Sequence, residues 1–270
     1  MKITFIGGGN MAGALIGGLK KQGFSVAGIE VVEPMPEARE RLTAAFGVRC
    51  AETVDAAALN CEVLVLAVKP QQLRQAVAPL KGRLTGQLVV SIAAGLSLAD
   101  IGRWLGGYRR LVRCMPNTPA LIGAGITGLF ADASVDHEGR EAADKILRAA
   151  GRTVWIDDEA QMDAVTAISG SGPAYVFYFI EAVEEAARNL GFSADVAHTL
   201  AIETFLGAAR LAETSPDAVA VLRQRVTSKG GTTEAAIKSF DADGIKAAIE
   251  RGVLVAQARG RELCQLLGQD

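Results

Sequence analysis

The chain has 270 residues, half of them hydrophobic but only 5% aromatic, enough for one large or two ordinary domains, each with its own core. A formal net charge of −2 gives no electrostatic basis for binding nucleic acid or an anionic membrane, and no apolar run reaches the ~20 residues of a membrane span. Cys50, Cys61, Cys114 and Cys264 show neither a CxxC pair nor Cys/His ligand spacing, so no metal site is predicted and a reduced, intracellular protein is expected.

The chain opens on an apolar strand, Ile3–Ile6, that runs into Gly7-x-Gly9-x-x-Ala12, and a helical apolar pattern (Met11, Leu15, Ile16, Leu19) begins at once. That strand–loop–helix setting separates a dinucleotide fingerprint from a chance cluster of glycines. Gly7 permits the tight turn, Gly9 lets the backbone approach a pyrophosphate, and Ala12 keeps helix and strand close. The helix N-terminus offers unpaired amides to the phosphates. Ile6, Gly7, Gly8, Gly9, Asn10, Met11 and Ala12 are therefore predicted to bind a nicotinamide dinucleotide. A strand this close to Met1 leaves no room for a signal peptide, and a cytoplasmic location is expected.

Further strands are predicted over 26–32, 63–68, 88–92, 111–114, 125–129 and 153–156, with helical patterns between most of them, for example 37–46, 72–80 and 138–150. Near-continuous apolar strands separated by helices indicate a mostly parallel, doubly wound sheet covered on both faces, a Rossmann domain over residues 1–157. Its second strand ends at Glu33, where an acidic side chain accepts hydrogen bonds from the adenosine ribose and repels a 2′-phosphate. Arg39 and Arg41, a turn further on, either reach a 2′-phosphate or lie on a solvated helix face. Both NADPH and NADH should serve, with Glu33 favouring NADH. Three later segments, Ala67-Val68-Lys69-Pro70-Gln71, Ser91-Ile92-Ala93-Ala94-Gly95 and Arg113-Cys114-Met115-Pro116-Asn117-Thr118-Pro119, should meet near the nicotinamide half, at the carboxyl edge where open α/β sheets bind ligands.

The pattern changes after Ile156. Residues 158–270 carry no convincing strand, only alanine-rich helical periodicity broken at Gly170-Ser171-Gly172-Pro173, Gly191-Phe192-Ser193, Ser215-Pro216 and Lys229-Gly230-Gly231. Ser193, Ser215 and Asp241 are predicted helix N-caps. In Val226-Thr227-Ser228-Lys229-Gly230-Gly231-Thr232-Thr233-Glu234 one helix stops and another starts, a geometry that presents amides and hydroxyls to a small anion. Apolar residues such as Ile180, Val183, Leu200, Ile202, Phe205, Leu206, Leu222, Ile245, Ile249, Val253, Leu254 and Val255 exceed what one loose bundle hides, which predicts an obligate homodimer through the helical domain.

Taken together, the fingerprint, Ala67 to Gln71, Met115 to Pro119, Ser169-Gly170-Ser171-Gly172-Pro173-Ala174-Tyr175 and the Ser228 to Thr233 loop resemble pyrroline-5-carboxylate reductase over essentially the whole chain. The resemblance implies reduction of the cyclic imine Δ1-pyrroline-5-carboxylate to L-proline by NADPH or NADH. It implies cofactor contacts from Ala67, Val68, Lys69, Pro70, Ala93 and Asn117, and a substrate carboxylate held by the amides of Gly230, Gly231 and Thr232 with help from the Ser228 hydroxyl. Thr233 would hydrogen-bond the ring nitrogen, so Thr233 and Ser228 are the predicted catalytic residues, and dimers assembling into a decamer fit the same resemblance. The family usually has proline where Lys229 stands, and an asparagine, often a ribose contact, where Val54 stands. His137 and His198 lie in no matching motif. A β-hydroxyacid dehydrogenase is the alternative, but such enzymes use a helical-domain lysine, and no lysine occurs between Lys145 and Lys229. A noncatalytic dinucleotide-binding regulator would have no need of the Ser228–Thr233 loop.

Overall fold

In a computed structural model, described for residues 1–269, the chain begins with β1 (Ile3–Ile6), α1 (Asn10–Lys21), β2 (Ile29–Val32), α2 (Pro36–Phe46), β3 (Arg49–Ala51), β4 (Val63–Leu66) and α3 (Pro70–Val77). It continues through β5 (Leu88–Ser91), α4 (Leu98–Trp104), β6 (Leu111–Met115), β7 (Gly125–Ala131), α5 (His137–Arg148) and β8 (Gly151–Trp155). These strands form one eight-stranded sheet in the order β3-β2-β1-β4-β5-β6-β7-β8. The first six are parallel, β7 pairs antiparallel with β6, and β8 runs parallel to β7. The 3-2-1-4-5-6 order is that of a doubly wound dinucleotide domain, with its topological switch point between β1 and β4.

The central strands are buried at every position of β1, β4 and β5, as a sheet covered on both faces requires. Alternate residues feed two cores. Phe5, Val31, Val65 and Val112 pack with Leu15, Ile16 and Leu19 of α1, Leu42 of α2 and Ile146 of α5. Ile6, Leu64, Leu66 and Val89 face the other way, onto Leu73 and Val77 of α3 and Ile101 and Trp104 of α4. The first of these layers is tight: a Cβ on Gly18 would lie 1.9 Å from the Ala149 carbonyl oxygen.

The structure departs from the sequence pattern in detail. Val26–Gly28 is a 3-10 turn, so the strand predicted over 26–32 starts at Ile29. The three-residue edge strand β3 was not predicted; it is too short for its alternation to register.

After β8 no strand occurs among the described residues. The helices are α6 (Met162–Val165), a π turn over Thr166–Gly170, α7 (Gly172–Asn189), α8 (Ala194–Thr214), α9 (Val219–Arg225), α10 (Thr232–Ala242) and α11 (Ile245–Leu267). The compact units divide after Ser171 rather than at residue 157: one comprises Met1–Ser171 with the chain from Ala256 onward, the other Gly172–Val255. The reason is local packing. Arg113 of β6, 4% exposed, pairs with Glu159 at 3.1 Å and Asp163 at 3.5 Å, and Val165 lies 2.6 Å from where a Gly128 side chain would begin. The end of α11 sits in the same unit, with Leu263 and Leu267 over Gly95 and the Gly268 carbonyl accepting from Arg103 at 2.6 Å.

Ser193 caps α8 as predicted, its hydroxyl accepting from the Val196 amide. Ser215 does not cap α9. It ends α8 in the extended conformation that the following Pro216 imposes, and Ala218 precedes α9. Asp241 is likewise no N-cap: it lies inside α10, and Gly244 at φ +66° turns the chain into α11.

Candidate cofactor and substrate sites

The fingerprint sits at the switch point. Gly7 has φ +101°, and a Cβ there would come within 2.6 Å of the Ala67 carbonyl oxygen and 2.7 Å of the Val68 side chain, so only glycine lets β1 and β4 end this close together. Gly9 precedes α1 as its N-cap, with no side-chain cap on the helix, and the space beside its Cα is open to 4 Å. The first-turn amides of Asn10, Met11 and Ala12 have no carbonyl to reach within the helix. Open space over Gly9 and unpaired amides behind it fit a pyrophosphate. Ala12 is fully buried against the sheet.

Glu33 reaches back to this loop. Its Oε2 accepts from the Gly8 amide at 2.8 Å and its Oε1 from the Met35 amide at 2.9 Å, which puts the carboxylate beside the glycine turn and commits the Gly8 N–H. The two arginines are turned to backbone. Arg41 donates to the Gly8 carbonyl at 3.0 Å, and Arg39 to the carbonyls of Glu33 and Pro34, each at 2.7 Å. Arg39 also pairs with Glu52 at 3.9 Å.

Along the same carboxyl edge, Lys69 is exposed and forms the N-cap of α3, with Pro70 in the first turn. Ala93 is buried, its amide held at 3.3 Å by the Ser91 hydroxyl. Asn117 is 9% exposed and spends most of its side chain on structure: Oδ1 accepts from the Ile126 amide at 2.9 Å, and Nδ2 donates to the Ser169 carbonyl at 3.2 Å. One Nδ2 hydrogen remains for a ligand, while the backbone carbonyl already accepts from the Ala120 amide at 3.1 Å. Asn117 thereby ties β7 and the π turn to the loop after β6. In that turn the Ser171 amide donates to the Thr166 carbonyl, five residues back, at 2.8 Å, a geometry that recurs at functional sites. Gly170 passes so close to Met115 that a Cβ would meet its Cε at 2.5 Å. A groove of about 420 Å³ starts at Gly9 and Asn10 but follows α1 to Lys21, away from the strand ends.

In the helical unit, the segment between α9 and α10 is a built turn. Gly230 has φ +73°, and the Ser228 Oγ lies 2.5 Å from where a Gly231 Cβ would be, so the hydroxyl lies over glycine backbone as the sequence implied. The amides differ from expectation. The Gly231 N–H donates to the Ser228 carbonyl at 3.0 Å, and the Gly230 N–H donates to Oε2 of Glu234 at 2.7 Å. Of the three predicted cradle amides, only that of Thr232, the first residue of α10, has no partner within its own helix. The Gly230 bond, together with the Lys238 ammonium 3.3 Å from Oε1, holds the Glu234 carboxyl below the usual carboxylate range. Glu234 was not predicted as a site residue. Its position three residues after the helix N-cap is the signal for such a bond, although a capping box closes on the N-cap amide itself, one residue later than here.

His137 lies 3.3 Å from Glu141 on α5, and His198 of α8 lies 2.7 Å from Glu184 of α7, both largely exposed. Burial pushes the Cys114 thiol far up, which makes it an inert strand residue. No cluster of three metal-ligating side chains occurs among the described residues, and no helix there is long and apolar enough to cross a membrane.

Residues 159–263 match the family model for pyrroline-5-carboxylate reductase dimerisation, and residues 2–95 that for NADP oxidoreductase, coenzyme F420-dependent. The chain is 48% identical over 272 aligned residues to pyrroline-5-carboxylate reductase of Pseudomonas aeruginosa, covering 99% of this chain and 98% of the relative. It is 35% identical to the Escherichia coli enzyme of the same name, covering 97% and 98%. Among solved structures, a pyrroline-5-carboxylate reductase from Coxiella burnetii superposes with a TM-score of 0.92 at 41% identity, covering 97% and 98% of the two chains. Plasmodium falciparum pyrroline carboxylate reductase with NADP bound superposes at 0.87 with 26% identity, covering 98% of each.

Proposed function

The chain belongs to the pyrroline-5-carboxylate reductase family, and from that premise we propose how its residues carry out the reduction of Δ1-pyrroline-5-carboxylate to L-proline, the final step of proline biosynthesis. The enzyme is an NAD(P)H-dependent oxidoreductase acting on a C=N bond. The bound reduced nicotinamide supplies a hydride to the imine carbon. The protein's part is to hold, orient and desolvate, because a protonated imine is already strongly electrophilic and needs neither nucleophile nor metal.

The open backbone at Gly9 and the first-turn amides of Asn10, Met11 and Ala12 hold the pyrophosphate, and Glu33 receives the adenosine ribose hydroxyls. Lys69, Pro70, Ala93 and Asn117 line the nicotinamide end. The substrate carboxylate takes the Thr232 amide, the Ser228 hydroxyl and the backbone of Gly230 and Gly231, and the Thr233 hydroxyl faces the ring nitrogen. That hydroxyl orients the nitrogen and stabilises the N–H that the reduced product retains. The enzyme works in the cytoplasm as a homodimer through residues 159–263, with a decamer as the larger assembly.

The observation that carries this assignment is the Ser228–Gly231 turn, where Gly230 at φ +73° and the hydroxyl over Gly231 make a small-anion cradle in a chain that also bears a dinucleotide loop. Steady-state oxidation of NADPH or NADH with synthetic pyrroline-5-carboxylate tests it. Turnover to L-proline is expected, and its absence in folded, cofactor-binding enzyme overturns the assignment.

A further inference from the structure

The cradle assigned to the substrate carboxylate already contains a carboxylate. Glu234 Oε2 accepts the Gly230 N–H at 2.7 Å, and Oε1 lies 3.3 Å from Lys238 Nζ one turn along α10. Gly230 is held in the left-handed conformation at φ +73°, which points its amide away from the path an ordinary extended residue would give it. The donor a substrate carboxylate would seek is thus satisfied by the protein's own acid, at the end of a helix where negative charge is favoured.

We propose that Glu234 is an internal competitor for the substrate's carboxylate, occupying the Gly230 amide in the free enzyme and withdrawing toward Lys238 when substrate binds. The inference rests on the assignment of this loop to the substrate carboxylate. Two like charges cannot share one N–H, so each binding event displaces Glu234 from the Gly230 amide, and the ion pair it already makes with Lys238 keeps its charge partnered. Displacement draws on binding that is equal in ground and transition states, so Glu234 sets KM and leaves kcat alone. The contact also discriminates among ligands: an uncharged amide or ester of the substrate would not displace the carboxylate, whereas a free acid does. L-proline carries the same carboxylate and meets the same competitor.

If Glu234 merely fastens the turn as a helix cap, its removal loosens the cradle and weakens binding. The two roles give KM changes of opposite sign. Glu234→Ala is expected to lower KM for pyrroline-5-carboxylate and the product-inhibition constant for L-proline together. The expected factor is about three- to fivefold, the scale of one carboxylate at a helix N-terminus, with kcat and NADH affinity unchanged. Glu234→Gln, which keeps an acceptor but loses the charge, should fall between wild type and alanine. A KM that rises or does not move in Glu234→Ala overturns the competitor role, and wild-type behaviour of Glu234→Gln alongside it makes the residue a cap. Absence of turnover in wild-type enzyme would instead strike the assignment of the reaction, so the two failures are told apart by the wild-type assay.

Discussion

The two compact units satisfy the hydrophobic effect in opposite ways. In the sheet-containing unit, strands and helices bury Phe5, Leu15, Leu64, Leu66, Leu73 and many others to within 2% of complete burial, and the layers meet so closely that glycine is required at contacts such as Gly18 on Ala149. In Gly172–Val255 the buried apolar residues are Ala187, Ala197 and Ala201 alone among those described, while Phe177, Tyr178, Val219 and Val255 are each 64–69% exposed. At ~25 cal/mol per Å², exposed side chains of that size forgo about 1.5–3 kcal/mol each. A unit that leaves so many uncovered does not hold its fold by its own burial. The sheet-containing unit has a core of its own, whereas the helical unit, which lies in the region matched by a dimerisation family model, leaves large apolar side chains uncovered.

That contrast can be broken at its tightest point. Gly18→Val puts a side chain into the Ala149 backbone, which cannot swing aside, and is expected to cost about 3 kcal/mol or more, lowering Tm by roughly 6–12 °C in thermal unfolding. A melting curve like that of wild type would show that this layer is not close-packed.

The dependent unit should fail differently. Leu200→Arg or Val255→Arg places a charge on the uncovered apolar face. Each is expected to yield a monomer by light scattering and to lower activity by about 100-fold or more, a loss of ~2.7 kcal/mol, while cofactor binding by the sheet-containing unit persists. A fully active monomer would remove the need for a partner.

Chemistry divides along the same line. Thr233→Ala should reduce kcat by about 10- to 100-fold, or ~1.4–2.7 kcal/mol, without altering NADH affinity, and Ser228→Ala should act mainly on KM. Glu33→Ser should do the reverse. It should leave the substrate KM unchanged and shift the ratio of kcat/KM values toward NADPH by about tenfold, ~1.4 kcal/mol. If the ratio stays put, the Glu33 carboxylate serves only to fasten Gly8 and Met35.

The doubly wound unit was legible because each of its signals is local. The fingerprint needs only a strand, a turn and a helix in succession, and β1, β4 and β5 read as near-continuous apolar runs, broken only by Thr4 and Ser91, because both of their faces are covered. The helix breaks were legible where a glycine or serine marked them, as at Ser193. They were misread at Ser215 and Asp241, where the following proline and the later glycine decide the boundary.

The sequence by itself determined the class of cofactor, the succession of the two regions and the position of the Ser228–Thr233 turn, because spacing along a chain is enough to specify a strand–loop–helix and a helix break. Only the tertiary structure decided where side chains spend their hydrogen bonds. Asn117 is bound to Ile126 and Ser169, Arg39 and Arg41 face backbone carbonyls, Glu33 returns to Gly8, and Glu234 fills the Gly230 amide. Each residue type was compatible with a ligand and with the protein's own backbone, and a polar group takes whichever partner the fold brings within about 3 Å, a distance that linear spacing does not encode.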